Sequence, residues 1–304
     1  MTKATYLFLI IVLIGIEPRI ARGATINVTC TGSGTPLQAA VDSALPGDVI
    51  QVTGDCLESV LVRNEKQRIA IDGGGNATIQ GTGNTIPTFN VRGKGILIQN
   101  FANIQTGSAC IHVNRGSNAV IHNNNTIQAC GAGIAVDQMS FAVITGNTIT
   151  ASVNIVGAEF QGHGIVISGN STARIGFNTG RNGAIPNTIV QNADAGIFME
   201  RNSHAWIRGN QITNNFNGIA LHYASQAEID NNNIAGNASN GILLTTNSGA
   251  VLSLNSSTTN NTGFGVRCSG PAGYVQGSKF TLSGGGLAQS EYFDPGSGCL
   301  DFLN

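Results

Sequence analysis

The chain has 304 residues; only 10% are charged, 41 are Gly and 34 are Asn. A formal net charge of −1 gives no global electrostatic reason to bind nucleic acid. A composition rich in Gly and Asn and poor in charge would suit a disordered polar chain, but strictly periodic Ile and Val exclude that class and point to many short strands joined by tight turns.

At the N-terminus, Lys3 precedes an apolar run from Tyr6 to Ile16, and Ala21-Arg22-Gly23 offers small residues for cleavage near Gly23-Ala24. Residues 1–23 read as a secretory signal peptide, because the run is too short to span a bilayer comfortably. The expected mature chain has 12 basic and 15 acidic residues. It is expected outside the cytoplasm, in a periplasm, at a cell surface or secreted, and free of membrane after cleavage. The even set Cys30, Cys56, Cys110, Cys130, Cys268 and Cys299 suits disulfides in that setting. Pairing of neighbours, Cys30–Cys56, Cys110–Cys130 and Cys268–Cys299, is one choice among the 15 possible connectivities.

Thr25 to Cys30 alternates as a strand. Thr35-Pro36 then opens a short helix, with Thr35 as the expected cap and Pro36 at the first helical position. Its apolar face is Leu37, Ala40, Val41 and Ala44, and Asp48 to Val52 is the next strand. From about residue 109 one pattern recurs: Gly-Ile-x-aliphatic, a polar turn, a second aliphatic pair, a turn with Asn, then x-Ile. The anchors are Gly133-Ile134, Gly164-Ile165, Gly196-Ile197, Gly218-Ile219, Gly241-Ile242 and the variant Gly265-Val266, at spacings of 31, 32, 22, 23 and 24 residues. A period in the low twenties marks a solenoid, whose repeats bury their apolar faces by stacking. Three strands per coil follow, with Asn124, Asn147, Asn178, Asn210, Asn232 and Asn255 as an expected hydrogen-bonded ladder in one turn. Asn125 is an alternative to Asn124, because that coil carries an extra residue. The Asn-x-Ser/Thr sequons at Asn124 and Asn255 coincide with this ladder, which favours a structural over a glycosylated role.

The stretch Pro36 to Ile50 resembles the opening of pectin-lyase-like proteins, and the repeats after it resemble that family's coils. The resemblance covers most of residues 25–275. It implies an all-β fold, a right-handed parallel β-helix with a short N-terminal capping helix, spanning residues 24–280. Residues 281–304 read as an irregular C-terminal cap.

Two coils are about nine residues too long. Both insertions, at about 150–162 and 179–194, are expected between the third strand and the next first strand. Loops there would flank the outer face of the first-strand sheet, and long loops in repeat arrays gather on the working face. The outward column three positions after each anchor Ile is Asn114, Asp137, Ser168, Glu200, His222, Thr245; the next is Arg115, Gln138, Gly169, Arg201, Tyr223, Thr246. The column one after the anchor includes His112 and Phe198.

Asp137, Glu200 and His222 are therefore the candidate catalytic residues, and Arg115, His163, Phe198, Arg201 and Tyr223 the candidate substrate-binding residues. Proton exchange at a uronate C5 needs a base such as His222 or Tyr223 and a cation, Arg115, Arg201 or Arg174, to neutralise the carboxylate. Inverting hydrolysis needs two carboxyl groups ~6.5–9.5 Å apart, a role for Asp137 with Glu200. The resemblance adds a calcium ion (Ca2+) as a candidate cofactor, with Asp137 and Glu200 contributing ligands as in many pectate lyases; no metal residues are assigned. Neither the paired aspartates of polygalacturonases nor the Asp-Pro-His signature of alginate epimerases is present. Gly162-His163-Gly164 matches one polygalacturonase motif only locally.

The expected function is action on a polysaccharide by lyase, epimerase or glycoside hydrolase chemistry. The alternative is a secreted, non-catalytic glycan-binding or adhesin-type β-helix. The partner is a polysaccharide or other glycan in either case, with the oligomeric state open.

Overall fold

The computed structural model describes residues 23–177, 183–252, 257–269, 274–277 and 300–303. Apart from one helix, Pro36–Ser43, the chain is a parallel solenoid of short strands. Each coil contributes to three stacks. In the first, Phe89–Val91 pairs with the end of Asn103–Val113, then with Ile127–Val136, His163–Ile167, Ile197–Met199, Ile219–Leu221, Ile242–Thr245 and Val266–Ser269. The second stack runs through Asn118–His122, Phe141–Thr145, Thr172–Ile175, His204–Arg208, Gln226–Asp230 and Gly249–Leu252. The third includes Thr148–Thr150, Thr188–Val190, Gln211–Thr213 and Asn233–Ala235.

Period two sends the anchor side chains inward. Ile111, Ile134, Ile165, Ile197, Ile219 and Ile242 face one another in register and are fully buried. Each such side chain contributes ~1.5–3 kcal/mol relative to exposure. The anchor glycine has a steric cause. A Cβ on Gly218 would lie 2.4 Å from the Gly241 carbonyl oxygen of the next coil and 2.5 Å from Cγ2 of Ile234. The chain bends so tightly into the core at this corner that only hydrogen fits.

Three ladders hold the turns. Asn124, Asn147, Asn187, Asn210 and Asn232 form the expected one, each amide Nδ2 donating to the next Oδ1 at 2.9–3.0 Å where the bond is resolved. Asn124 holds its place, not Asn125. The rung expected at Asn178 is Asn187 instead. Phe177 and Ala184 form an antiparallel bridge, so the chain leaves the coil after the second strand and rejoins it at Asn187. The second insertion therefore lies between second and third strands, which corrects the expectation that it borders the first sheet. Asn178 and Asn255 lie outside the described residues. A second ladder, Asn192, Asn215, Asn237 and Asn261, lines the turn before the first strand. Buried Ser117, Ser140, Ser171, Ser203, Ser225 and Ser248 line the turn after it, with Ser140 N–H donating to Ser171 Oγ and Ser203 N–H to Ser225 Oγ.

The helix covers the open N-terminal end with Leu37, Ala40 and Val41 buried beneath it. Thr35 makes no side-chain cap, contrary to expectation. Buried Glu58 does so from the neighbouring coil, accepting the Leu37 and Gln38 N–H groups at 3.0 and 2.9 Å. A carboxylate facing the positive end of a helix is favourable, and here it ties the helix to the solenoid. Cys30–Cys56 and Cys110–Cys130 are disulfides, and Cys268 is disulfide-bonded. The expected partner Cys299 lies outside the described residues, as do residues 1–22 of the expected signal peptide and most of the expected C-terminal cap. Within that cap, Leu300–Leu303 returns to the second stack beside Tyr274–Gly277. Among the described residues no helix is long and apolar enough to cross a membrane.

Candidate functional site

All eight candidate residues lie on or beside the outer face of the first sheet. The register Val91↔Val113 extends the outward column one coil toward the N-terminus, giving Arg92, Asn114, Asp137, Ser168, Glu200, His222 and Thr245. Coils are ~4.8 Å apart, so the Asp137 and Glu200 backbones are ~9–10 Å apart with Ser168 between. The next column is the turn itself. Arg115, Gln138, Gly169, Arg201, Tyr223 and Thr246 all have left-handed backbones, with φ between 44° and 60°. Only one is Gly. A left-handed non-glycine residue costs ~1–2 kcal/mol, and this turn carries Arg115, Arg201 and Tyr223 as exposed residues along the rim.

The first insertion is where it was expected, and it folds over this face. Phe160 packs on Ala109, Ala132, Ala135 and Val166, a small apolar cluster outside the solenoid core, with half-buried Phe198 at its margin. Phe160 also meets the His112 ring edge-on at 5.4 Å. Beyond the insertion an aromatic stack continues: His163 lies parallel to Phe198 at 4.4 Å, Phe198 meets His222 at 5.0 Å, and His222 approaches Tyr223 at 6.1 Å. His163 Nδ1 accepts the Ala195 N–H at 3.3 Å, which fixes the neutral tautomer with its proton on Nε2.

Glu200 Oε1 accepts from Ser168 Oγ at 3.0 Å and pairs with Arg201 at 3.4 Å. Asp137 is buried, and its Oδ1 accepts the Gln138 N–H at 2.7 Å. Burial pushes His112 down to about 4, against the pull of Asp137 and with the help of Arg92. Burial also pushes His163 down to about 4, aided by the charge of His222. His222 itself is lowered by burial, opposed by Glu200 and Asp194. The carboxyl of Glu159, carried by the insertion, is raised by burial and by the charges of Asp137 and Glu200, against Arg201. Asp194 is raised by burial, against His222 and the Ala195 N–H. The face is thus an interacting set of carboxylates and imidazoles.

At the N-terminal end of the face lies a cavity of about 220 Å³ lined by Asn90, Arg92, His112, Asn114, Arg115 and Glu159, among others. Reading from the sequence missed Arg92, Glu159 and Asp194. Arg92 follows Phe89-Asn90-Val91, a coil in which Phe89 stands in register with the anchor Ile111, so an alignment keyed on the anchor Ile stops one coil short. Glu159 lies within an insertion that has no repeat position. Arg174, considered as a neutraliser, is on the second sheet between the rings of Phe141 and Trp206, at 5.9 and 5.8 Å. It does not reach this face.

Among the described residues, the group of three or more His, Cys, Asp or Glu with ligand atoms within 4.8 Å is Cys30, Cys56 and Glu58. Its thiols are joined in a disulfide and its carboxylate caps the helix. Asp137 and Glu200 do not join such a group.

Residues 150–294 match the family described as "Right handed beta helix region". The chain is a right-handed parallel β-helix. No curated protein matches it. Among solved structures, this β-helix is similar to the A-module of mannuronan C-5 epimerase AlgE6 from Azotobacter vinelandii, at 11% identity and TM-score 0.42, covering 93% of this chain and 89% of that one. It is similar also to the AlgE4 A-module from the same organism, at 12% identity and TM-score 0.43, covering 93% and 87%.

Proposed function

We propose that this β-helix acts outside the cytoplasm on a polysaccharide, by lyase, epimerase or glycoside hydrolase chemistry, at the outer face of its first sheet. The observation that carries the reading is the convergence, on the face beside one insertion, of Glu200, His222 and the His163–Phe198 stack. A sugar needs an apolar platform for its ring face and polar groups at the rim. Phe198 and Tyr223 offer the platform. His222, held neutral by burial, is suited to accept a proton at neutral pH. Asp137 and Glu200 are the carboxyl pair for hydrolysis, while Arg115 and Arg201 neutralise an acidic substrate in β-elimination or epimerisation. The disulfides support export, since such bonds persist in oxidising compartments.

The second reading, glycan binding without chemistry, is favoured by the engagement of Glu200 by Ser168 and Arg201, which suits a preset polar stripe. Absorbance near 235 nm and new reducing ends, followed on uronate and neutral polysaccharides with and without calcium, separate the two. The expected result is product formation abolished in Glu200→Ala/His222→Ala. Binding without product on any polysaccharide would favour the second reading, and calcium dependence would establish the candidate cofactor.

A further inference from the structure

The outer face of the first sheet is interrupted along the helix axis. Beside the first insertion its outward positions are small: Ala109 and Ala132 two residues before the anchor Ile, Ala135 and Val166 one residue after it. Later coils carry mostly larger groups there, such as His163, Asn217 and Asn240 before the anchor and Phe198, Leu243 and Arg267 after it. The four small residues lie outside the solenoid core and are nonetheless 0–1% exposed, because Phe160 packs on them. The backbone of the insertion is seated as closely. A Cβ on Gly131 would lie 2.4 Å from the Phe160 carbonyl oxygen. The Phe160 ring is met on another side by the His112 ring at 5.4 Å. A ring bedded on three alanines and a valine is packing of the kind found in interiors, so the insertion stands on the face as a wall.

The wall stands next to the candidate catalytic residues. A chain lying along the axis passes one coil every ~4.8 Å. From Phe198 toward the C-terminus it meets His222 and then coils without an insertion, where Leu243 is half-buried and Arg267 exposed. From Phe198 toward the N-terminus it meets Val166 and then Ala135, both already covered by Phe160. The cavity lined by Arg92, His112 and Glu159 lies at the N-terminal end, with the wall between it and the His163–Phe198 stack.

We propose that Phe160 closes one end of the substrate groove, so that the β-helix engages the end of a polysaccharide chain and not its interior. A groove open at both ends accepts a chain at any point along its length, whereas one closed at one end accepts only a terminus. Phe160 is then the specificity-determining residue: the terminal unit abuts the insertion, and Glu200 and His222 face the units that follow. A chain end pressed against the insertion also steadies Ala109, Ala132 and Ala135 beneath it. The inference rests on the glycan reading and narrows it to chain ends.

Binding stoichiometry across chain lengths tests it, whether or not the bound glycan is turned over. The probes are polygalacturonate, polymannuronate and neutral galactan, each size-fractionated from trisaccharide to polymer and titrated calorimetrically with the full chain. Where a probe is consumed, Glu200→Gln/His222→Ala replaces the wild type. The number of protein molecules bound per glycan chain should stay at one from trisaccharide to polymer. Excising residues 153–161 opens the groove. It leaves Ser152-Gly162-His163-Gly164, the same length as Asn215-Phe216-Asn217-Gly218 two coils later, and Ser152 and Asn215 hold equivalent places in one ladder. In that variant the number should climb from one on the trisaccharide to several on the polymer. Phe160→Ala, which keeps the insertion, should move it in the same direction if the excised chain fails to fold. A wild-type number that rises with length would overturn the inference and leave the glycan reading standing. One per chain in the wild type and in both opened variants would also overturn it, since the end would then be recognised without Phe160. Binding by the opened variants alone would overturn it too, by making the insertion a cover over the whole site. Failure of every form to bind any probe would remove the glycan reading and the inference together.

Discussion

The inside and the outside of the first sheet follow opposite rules. Inward, the column Ile111, Ile134, Ile165, Ile197, Ile219, Ile242 barely changes. Outward, one residue further along each strand beyond the second inward position, every coil differs: Arg92, Asn114, Asp137, Ser168, Glu200, His222, Thr245. Stacking in register forces the first column to repeat, because each side chain fills the space left by the one below. Nothing in the fold forces the second to be what it is. Repetition therefore marks the scaffold, and its failure marks where chemistry is free to reside.

Breaking the scaffold should have the largest effect. Asn210 donates its amide to Asn232 and to two carbonyls, and accepts from Asn187 through both N–H and Nδ2. Asn210→Ala leaves several buried groups unmatched at ~1–3 kcal/mol each. We expect a loss of at least ~3 kcal/mol in urea unfolding, and a loss under ~1 kcal/mol would mean the ladder is decorative.

The outer column should behave in the converse way. Glu200→Gln with His222→Ala is expected to lower turnover by ~10²–10⁴-fold, the range for lost acid–base groups, with the unfolding midpoint nearly unchanged. Unchanged turnover would place the chemistry elsewhere.

Protonation offers a third contrast, because burial pushes His112 and His163 down to about 4. Below pH 6.5 the unfolded chain takes up protons that the folded chain refuses until about pH 4. Their combined effect is thus absent above the unfolded value and grows as pH falls toward 4. Stability should decline by about 2 kcal/mol for each imidazole between pH 7 and 5. A flat urea midpoint over that interval would show both rings to be solvated.

The smallest effect belongs to the Arg201–Glu200 pair, whose arginine is exposed. Arg201→Ala should change stability by no more than ~1 kcal/mol, as exposed ion pairs do, and a larger loss would give the left-handed turn a structural role.

The same contrast explains what could be read from the sequence. The Gly-Ile anchors revealed the coils because sterics at Gly218 and packing at Ile219 recur in each one. The outer column followed from period two. Asn187 was hidden because spacing from Ile175 points to Asn178, and the excursion that displaces the rung depends on tertiary pairing of Phe177 with Ala184. Glu58 as a helix cap, Glu159 over the face and Arg92 in the column are long-range placements without a local signature. The left-handed turn carries Gly or Asn in several coils, at Gly116, Gly169, Asn170, Asn202 and Asn247, but Arg115, Arg201 and Tyr223 themselves adopt it without either, so their geometry was not legible.

Hydrogen–deuterium exchange with the tightest-binding polysaccharide fragment tests the central claim most directly. We predict slowed exchange in residues 109–115, 132–138, 159–166 and 196–201, and none in 141–145, 172–175 or 204–208. Protection confined to the second-sheet segments around Phe141, Arg174 and Trp206 would contradict it and move the site to the opposite rule of the solenoid, the cation–aromatic face.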